Sequence, residues 1–267
     1  RINHHRQSID RHRKVTRHAT ASTQCLMLGG IHPSTIPRFR AVQKTESRVA
    51  ADSPLYSSDM KIDPTELSPR KIYRLMTFAI TPRPIAWVGT VSAQGIANLA
   101  PFSFFNGVCA NPPTVVFSVA NRRDGSMKDT LRNIHAVPEF TISTVSFSDG
   151  GQMNATSAEL PYEVSEFAAC QVSEHPSERI RPPRVATAKL AMECVLHQLV
   201  PVGEGPLAGT LVIGRIVLVH LEDGAVHADS AAPGDPDPHV LDTIGRMGGD
   251  GYCRTADRFV LHRPTEK

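Results

Sequence analysis

The chain has 267 residues, of which 40% are hydrophobic and 21% charged, the composition of an ordinary globular protein long enough for one large core or two small ones. Its longest apolar run, 211–221, falls short of the ~18–20 residues of a membrane helix and carries Arg215, so a helical membrane protein is excluded. The net charge of +3 is uneven: residues 1–59 hold ten Lys and Arg against four Asp and Glu, and the other 19 basic and 22 acidic residues leave 60–267 at −3, without the broad positive surface that nucleic acid requires.

Residues 1–59 show no helical or alternating apolar period and are rich in Arg, His, Ser and Thr. They are expected to be disordered: a non-native extension upstream of Met60 first, an Arg-rich transit peptide second, a basic binding arm third. Folded patterning starts at Met60 and is expected to run as a single domain over 60–267.

Strands dominate from there. Residues 85–92 are β-branched and aromatic, Gln94-Gly95 makes a turn and 98–108 continues as a second strand, giving a hairpin. A third strand, 114–120, follows the Asn111-Pro112-Pro113 break. Asp124 or Ser126 can cap a helix reaching about His135, with Met127, Leu131 and Ile134 at core-facing spacing. A strand at 139–145, a short helix at 147–158 and a Pro-rich loop at 176–183 come next. Two longer strands, 188–200 and 210–221, close the pattern, and in the first Leu190, Met192, Cys194 and Leu196 share a face. Such an element order predicts a closed antiparallel barrel with helical additions, not βαβ units.

Several chemistries are absent. The sequence has no Gly-x-Ser-x-Gly elbow, no His-Glu-x-x-His and no phosphate-binding Gly-x-x-x-x-Gly-Lys loop. Gly203-x-Gly205 lies between two strands and reads as a hairpin loop. Five scattered cysteines (Cys25, Cys109, Cys170, Cys194, Cys253) fit neither a zinc site nor a disulfide scaffold, and favour free thiols in a reducing, cytoplasmic compartment. His135, His197 and His220 read as surface or hydrogen-bonded residues and not as catalysts.

Three neighbouring segments carry polar groups that a core does not need. In Thr81-Pro82-Arg83-Pro84 a guanidinium sits between two prolines; it either meets an anion or stiffens the strand start. In Asn98-Leu99-Ala100-Pro101-Phe102-Ser103-Phe104-Phe105-Asn106 a proline inside a strand implies an edge or bulge, where free backbone groups can face a flat heteroaromatic ring; ordinary core phenylalanines are the alternative. Ser126-Met127-Lys128-Asp129-Thr130 opens the predicted helix with two hydroxyls, a lysine and free N–H groups, a phosphate-binding set or a solvated cap. A phosphate socket beside a ring platform is what a phosphorylated aromatic cofactor needs.

These segments, with Ile85-Ala86-Trp87-Val88, Leu131-Arg132-Asn133 and Met153-Asn154-Ala155-Thr156-Ser157, closely resemble the flavin reductase-like family of FMN-binding split barrels, over about 63–259. The resemblance implies a six-stranded antiparallel Greek-key split barrel, a homodimer, FMN near the subunit interface and NAD(P)H as co-substrate. Family members include the reductase components of two-component flavin monooxygenases, so an oxygenase partner is implied too. It places Arg83, Asn98, Leu99, Ala100, Pro101, Phe102, Ser103, Phe104, Ser118, Ser126, Lys128, Asp129, Thr130 and Asn154 around the cofactor; Asp129 is expected to orient and not to contact, because a carboxylate facing a phosphate is repulsive unless Lys128 or a backbone N–H intervenes. No residue is expected to act as acid or base, because hydride passes directly from nicotinamide to flavin. The competing expectation is an FMN-binding carrier or interaction module without NAD(P)H turnover.

Overall fold

The computed structural model describes residues 60–227 and 234–264; Cys25 and the expectations for 1–59 lie outside the described residues. A 3-10 turn at Pro64–Glu66 is capped by the Asp63 carboxylate. It leads to α1 (Pro69–Ala79), which starts with Pro69 in its first turn and stops at Ile80. α1 is not among the elements expected from the sequence; Ile72, Leu75, Met76 and Ala79 recur at helical spacing, but Thr77 is its only buried residue, so this stripe does not face the core.

The strands β1 (Ala86–Val91), β2 (Ala97–Phe102), β3 (Phe105–Ala110) and β4 (Pro113–Ala120) come next, then α2 (Asp129–Ala136) and β5 (Glu139–Ser143). Beyond them lie α3 (Gly150–Ala155), α4 (Glu166–Ala169), the short pair β6 (Glu174–His175) and β7 (Arg184–Val185), and the long strands β8 (Leu190–Val202) and β9 (Gly209–Leu221). The chain finishes with α5 (Pro238–Leu241) and a second short pair, β10 (Ile244–Arg246) and β11 (Tyr252–Arg254).

Seven strands form one antiparallel sheet in the order β2-β1-β5-β8-β9-β4-β3. The count exceeds the expected six because the strand predicted over 98–108 breaks at Ser103-Phe104, and its halves part company. β2 pairs with β1, whereas β3 pairs with β4 at the other end of the sheet. Consecutive strands therefore form the sheet's two edges. Phe102 of β2 nevertheless packs 5.3 Å from Phe117 of β4, and Phe117 packs 5.4 Å from Phe140 of β5. Such contacts between strands far apart in the order require the sheet to curl on itself, leaving a split bridged by the chain at Ser103-Phe104.

The interior of the curl is a core built from Val88, Phe102, Phe117, Val119, Phe140, Ile142, Cys194 and Val212, closed at one end by Leu131 and Ile134 of α2. Met192, Cys194 and Leu196 face it as their two-residue period requires. A register shift between Leu196 and Gln198 then turns Leu199 inward. A second core covers the outer face, where Ile85, Trp87 and Leu99 pack against Met153, Phe167, Val172 and Val185. β1 is consequently buried along its whole length, which is why 85–92 reads as a continuous apolar run.

The helix predicted from Asp124 or Ser126 begins at Asp129, with Lys128 at its cap. Asp124 instead holds a turn of its own, its Oδ1 accepting from the Ser126 N–H at 2.9 Å and the Ser126 hydroxyl at 2.6 Å, while Gly125 takes the positive φ of +84° that closes the turn. Gly203 and Gly205, with φ of +75° and +77°, form the β8–β9 hairpin loop.

The 176–183 segment is a loop fixed by a buried carboxylate. Glu193, 0% exposed, accepts from the Glu178 and Arg179 N–H groups, both at 2.7 Å, and from His220 Nε2 at 2.7 Å. Burial alone would raise its pKa, but these donors bring it below the ordinary value. His220 is thus a structural partner. The four cysteines among the described residues are unpaired, and burial pushes the Cys194 thiol up to about 12, which makes it unreactive.

Candidate functional site

β2 is an end strand, as Pro101 implies: its one strand partner is β1, with Trp87 opposite Pro101. Its open edge looks onto the start of α2 and onto the stretch following α3. Two clefts meet along that edge, sharing Pro101 and Ser157. One is lined by Asn98, Ala100, Arg122, Lys128, Thr130 and Glu159; the other by Tyr73, Phe102, Ser103, Asn154, Arg246 and Tyr252. Together they make a groove that runs from the α2 N-terminus to the Ser103-Phe104 break.

The edge is held rigid from beneath by a buried polar network. The Asn98 Nδ2 donates to Glu166 Oε2 at 2.7 Å, and the Leu99 N–H donates to the same oxygen at 3.0 Å. The Asn98 Oδ1 accepts from the hydroxyls of Thr90 and Thr130, both at 3.1 Å. Asn133 Nδ2 donates to Thr90 Oγ1 and its Oδ1 accepts from the Tyr162 hydroxyl at 2.8 Å, which ties α2 into the set. Asn98 and Thr130 therefore position β2 against α2 as much as they face the groove. Leu99 points away from it into the outer core and lines neither cleft, and the Phe102 ring packs into the inner core, so neither side chain is offered to the groove. Glu166, which nothing in the sequence distinguishes from a surface carboxylate, anchors the network at 5% exposure.

Burial raises the Glu166 carboxyl above its ordinary value of 4.5, and the Leu99 and Asn98 donors reverse only part of that. A folded-state pKa above the unfolded one means that the contribution to stability is complete below the unfolded value and is lost as pH rises through the folded value. Glu166→Gln keeps an acceptor for both donors and cannot ionise. Its unfolding free energy relative to the wild type should therefore rise as pH increases above the ordinary carboxyl value of 4.5, as read by urea titration; a difference independent of pH would contradict this assignment.

At the other wall, Lys128 caps α2 and borders the groove. Burial lowers its pKa, which Glu159 partly opposes. Asp129 turns to Arg122, with a 2.7 Å ion pair. The first-turn N–H groups of Asp129 and Thr130 have no acceptor inside the helix, so a cation and two donors converge on one place. Ser126 is exposed, with its hydroxyl engaged by Asp124, and it does not line the groove. Ser118 also stands apart, on β4 with its N–H bonded to the Phe104 carbonyl at 2.9 Å.

Arg83 is 4% exposed and acts as a hub. Its Nη1 donates to the Thr77 and Ile80 carbonyls at 2.6 and 2.8 Å, Nη2 to the Met247 carbonyl at 3.0 Å and Nε to Ser103 Oγ at 3.3 Å. Its guanidinium carbon also lies 5.9 Å from the centre of the Phe104 ring. The guanidinium fork thus joins the end of α1, the strand break and the loop after β10. Of the two readings of Thr81-Pro82-Arg83-Pro84, the architectural one accounts for most of its donors. Asn154 borders the groove beside Tyr252, whose hydroxyl donates to its Oδ1 at 3.1 Å.

Residues 78–234 match the family described as Flavin reductase like domain. The chain belongs to the flavin reductase-like family. A Halalkalibacterium halodurans relative of this family, the uncharacterized protein BH2278, is 36% identical over 77% of this chain and 97% of its own. In structure the chain resembles nitrilotriacetate monooxygenase component B from Bacillus cereus, with 35% identity, a TM-score of 0.71 and coverage of 76% and 99%. It also resembles a split-barrel protein from Shewanella frigidimarina, with 25% identity, a TM-score of 0.65 and coverage of 77% and 100%. Every candidate flavin reductase-like residue from Arg83 to Asn154 falls inside the matched span. Of the lining residues, Tyr73, Arg246 and Tyr252 lie outside it and carry no motif; they join the groove only through the fold.

No helix among the described residues is long and apolar enough to cross a membrane, and no three His, Cys, Asp or Glu among them gather as metal ligands do.

Proposed function

We propose that the chain binds FMN in the β2 groove and acts as an NAD(P)H-dependent flavin reductase. The observation that carries this reading is the continuity of the groove, with a cationic helix start at one end and an open strand edge, free of a partner strand, along its length. The residues suit the cofactor. Lys128 and the N–H groups of Asp129 and Thr130 would hold the phosphate. The carbonyls of Leu99 and Pro101, which the alternation of the β1 ladder leaves on the open side, with Ser103, would meet the polar edge of the ring, and Asn154 and Ser157 would close the opposite side.

When bound, FMN supplies hydride acceptance and release. The protein's own contribution is positional. The Asn98–Glu166–Thr130 network fixes the strand edge relative to the phosphate end, so that a ring and a phosphate held together meet preset donors. Arg122 pairs with the Asp129 carboxylate, leaving Glu159 and Glu166 as the other carboxyl groups that line this cleft. Mixing the protein with FMN and NADH or NADPH under anaerobic conditions should bleach the flavin's visible absorption band. Binding without bleaching would instead favour the carrier reading.

The same reading includes a homodimer. α1 presents an apolar stripe, Ile72, Leu75, Met76 and Ala79, and Leu75 and Met76 are about two-fifths exposed (42% and 40%); the exposed edge strand β3 adds Val108. Surfaces of this kind need cover. Sedimentation at micromolar concentration should give a dimer, and a monomer that still binds FMN would refute the proposal. Its electron acceptor would be a separate oxygenase, as the likeness to a monooxygenase component suggests.

A further inference from the structure

The face of α1 opposite its apolar stripe carries Arg70, Tyr73, Arg74, Thr77 and Phe78 at helical spacing. With Arg83 and Arg246 it lines a third cleft, which joins the flavin groove through Tyr73 and Arg246. Four arginines line this cleft and no carboxylate does. The nearest acid to Arg246 is the fully exposed Asp250, at 4.0 Å. Arg70 and Arg74 are exposed, Arg74 has no carboxylate partner among the described residues and rests 5.1 Å from the centre of the Phe78 ring, and Arg70 reaches on into an adjoining recess with Arg123. The Arg83 donors are taken by carbonyls and the Ser103 hydroxyl, and Arg246 Nη2 donates to the Gly249 carbonyl at 2.6 Å, but among the described residues no carboxylate pairs with Arg70 or Arg74, in contrast to Arg122, which Asp129 pairs at 2.7 Å.

From this arrangement we infer that the Arg70–Arg74–Arg246 cleft receives the 2′-phosphate of NADPH, and so makes the enzyme prefer NADPH to NADH. The inference rests on the reductase reading above. A site that accepts the ribose diol of NADH commonly uses a carboxylate as acceptor, whereas a 2′-phosphate calls for arginine. The cleft offers the second and lacks the first. Tyr73, whose ring centre lies 6.2 Å from that of Phe104, provides an aromatic surface at the junction for the adenine. The site lies at the far end of the groove from Lys128, so the dinucleotide and the FMN phosphate do not compete for one cation.

Binding can be read without turnover. The full chain, with FMN present in excess, would be titrated with 2′,5′-ADP and with 5′-AMP by calorimetry. The wild type should bind 2′,5′-ADP at least about tenfold more tightly, the size expected of charge-assisted contacts to one phosphate. Arg70→Gln with Arg74→Gln should abolish that preference while leaving FMN affinity and melting temperature unchanged, both side chains being exposed. Lys128→Ala should leave the preference intact. Equal affinity for the two nucleotides in the wild type, or a preference that survives the double substitution, would overturn the inference. A chain that discriminates the nucleotides as stated but fails to bind FMN would refute the reductase proposal and leave the arginine cleft standing.

Discussion

Replacing Lys128 with alanine should weaken FMN binding about ten- to a hundredfold and leave riboflavin binding unchanged. The two flavins share the ring and differ in the phosphate, so their ratio isolates the phosphate contact. A charge-assisted contact of this type is worth roughly 1.5–3 kcal/mol, which converts to that range of affinity. Burial already lowers the Lys128 pKa, and among the described residues no hydrogen bond depends on its ammonium, so the melting temperature should hold. Fluorescence titration of both flavins checks this. Parallel losses would mean that the helix start positions the ring and not the phosphate. No loss for either would move the phosphate away from α2.

The opposite signature is expected at Arg83. Removing its guanidinium leaves the Thr77, Ile80 and Met247 carbonyls and the Ser103 hydroxyl without their donor, at a cost of about 3–5 kcal/mol for a buried, multiply bonded charge. Arg83→Ala should therefore lower the urea midpoint sharply and reduce FMN and riboflavin binding together, because α1, the Ser103-Phe104 break and the 247 loop lose their common tie. Arg83→Lys should recover little, since one ammonium cannot reproduce a planar fork directed at separate acceptors. A stable Arg83→Ala protein that loses FMN but not riboflavin would restore the reading of Arg83 as a direct phosphate ligand.

These two cationic residues show how far local sequence reaches. Both stand in segments whose composition marks them as unusual, and for each the sequence alone offers two readings, an anion or a structural role. The structure separates them by burial and by the direction of their donors: Arg83 is enclosed and points at carbonyls, whereas Lys128 lies at an open helix start. Ser126 shows the same limit, because a hydroxyl two residues beyond an aspartate is captured by it before any ligand arrives.

Patterns of period two and the punctuation by Pro and Gly were enough to determine the strands β1, β4, β5, β8 and β9, the hairpin turns, the edge position of Pro101 and the mainly antiparallel class. Such features depend on neighbours in the chain, which is why they are legible there. The split of 98–108 into two edge strands, the seven-stranded order, the burial of Glu166 beneath β2 and the arrival of Tyr73, Arg246 and Tyr252 at the groove depend on residues far apart in the chain. Glu166 lies 68 positions from Asn98, and Met247 lies 164 from Arg83. No local pattern encodes partners at such separations; only the curling of the sheet, driven by burial of its two apolar faces, brings them together.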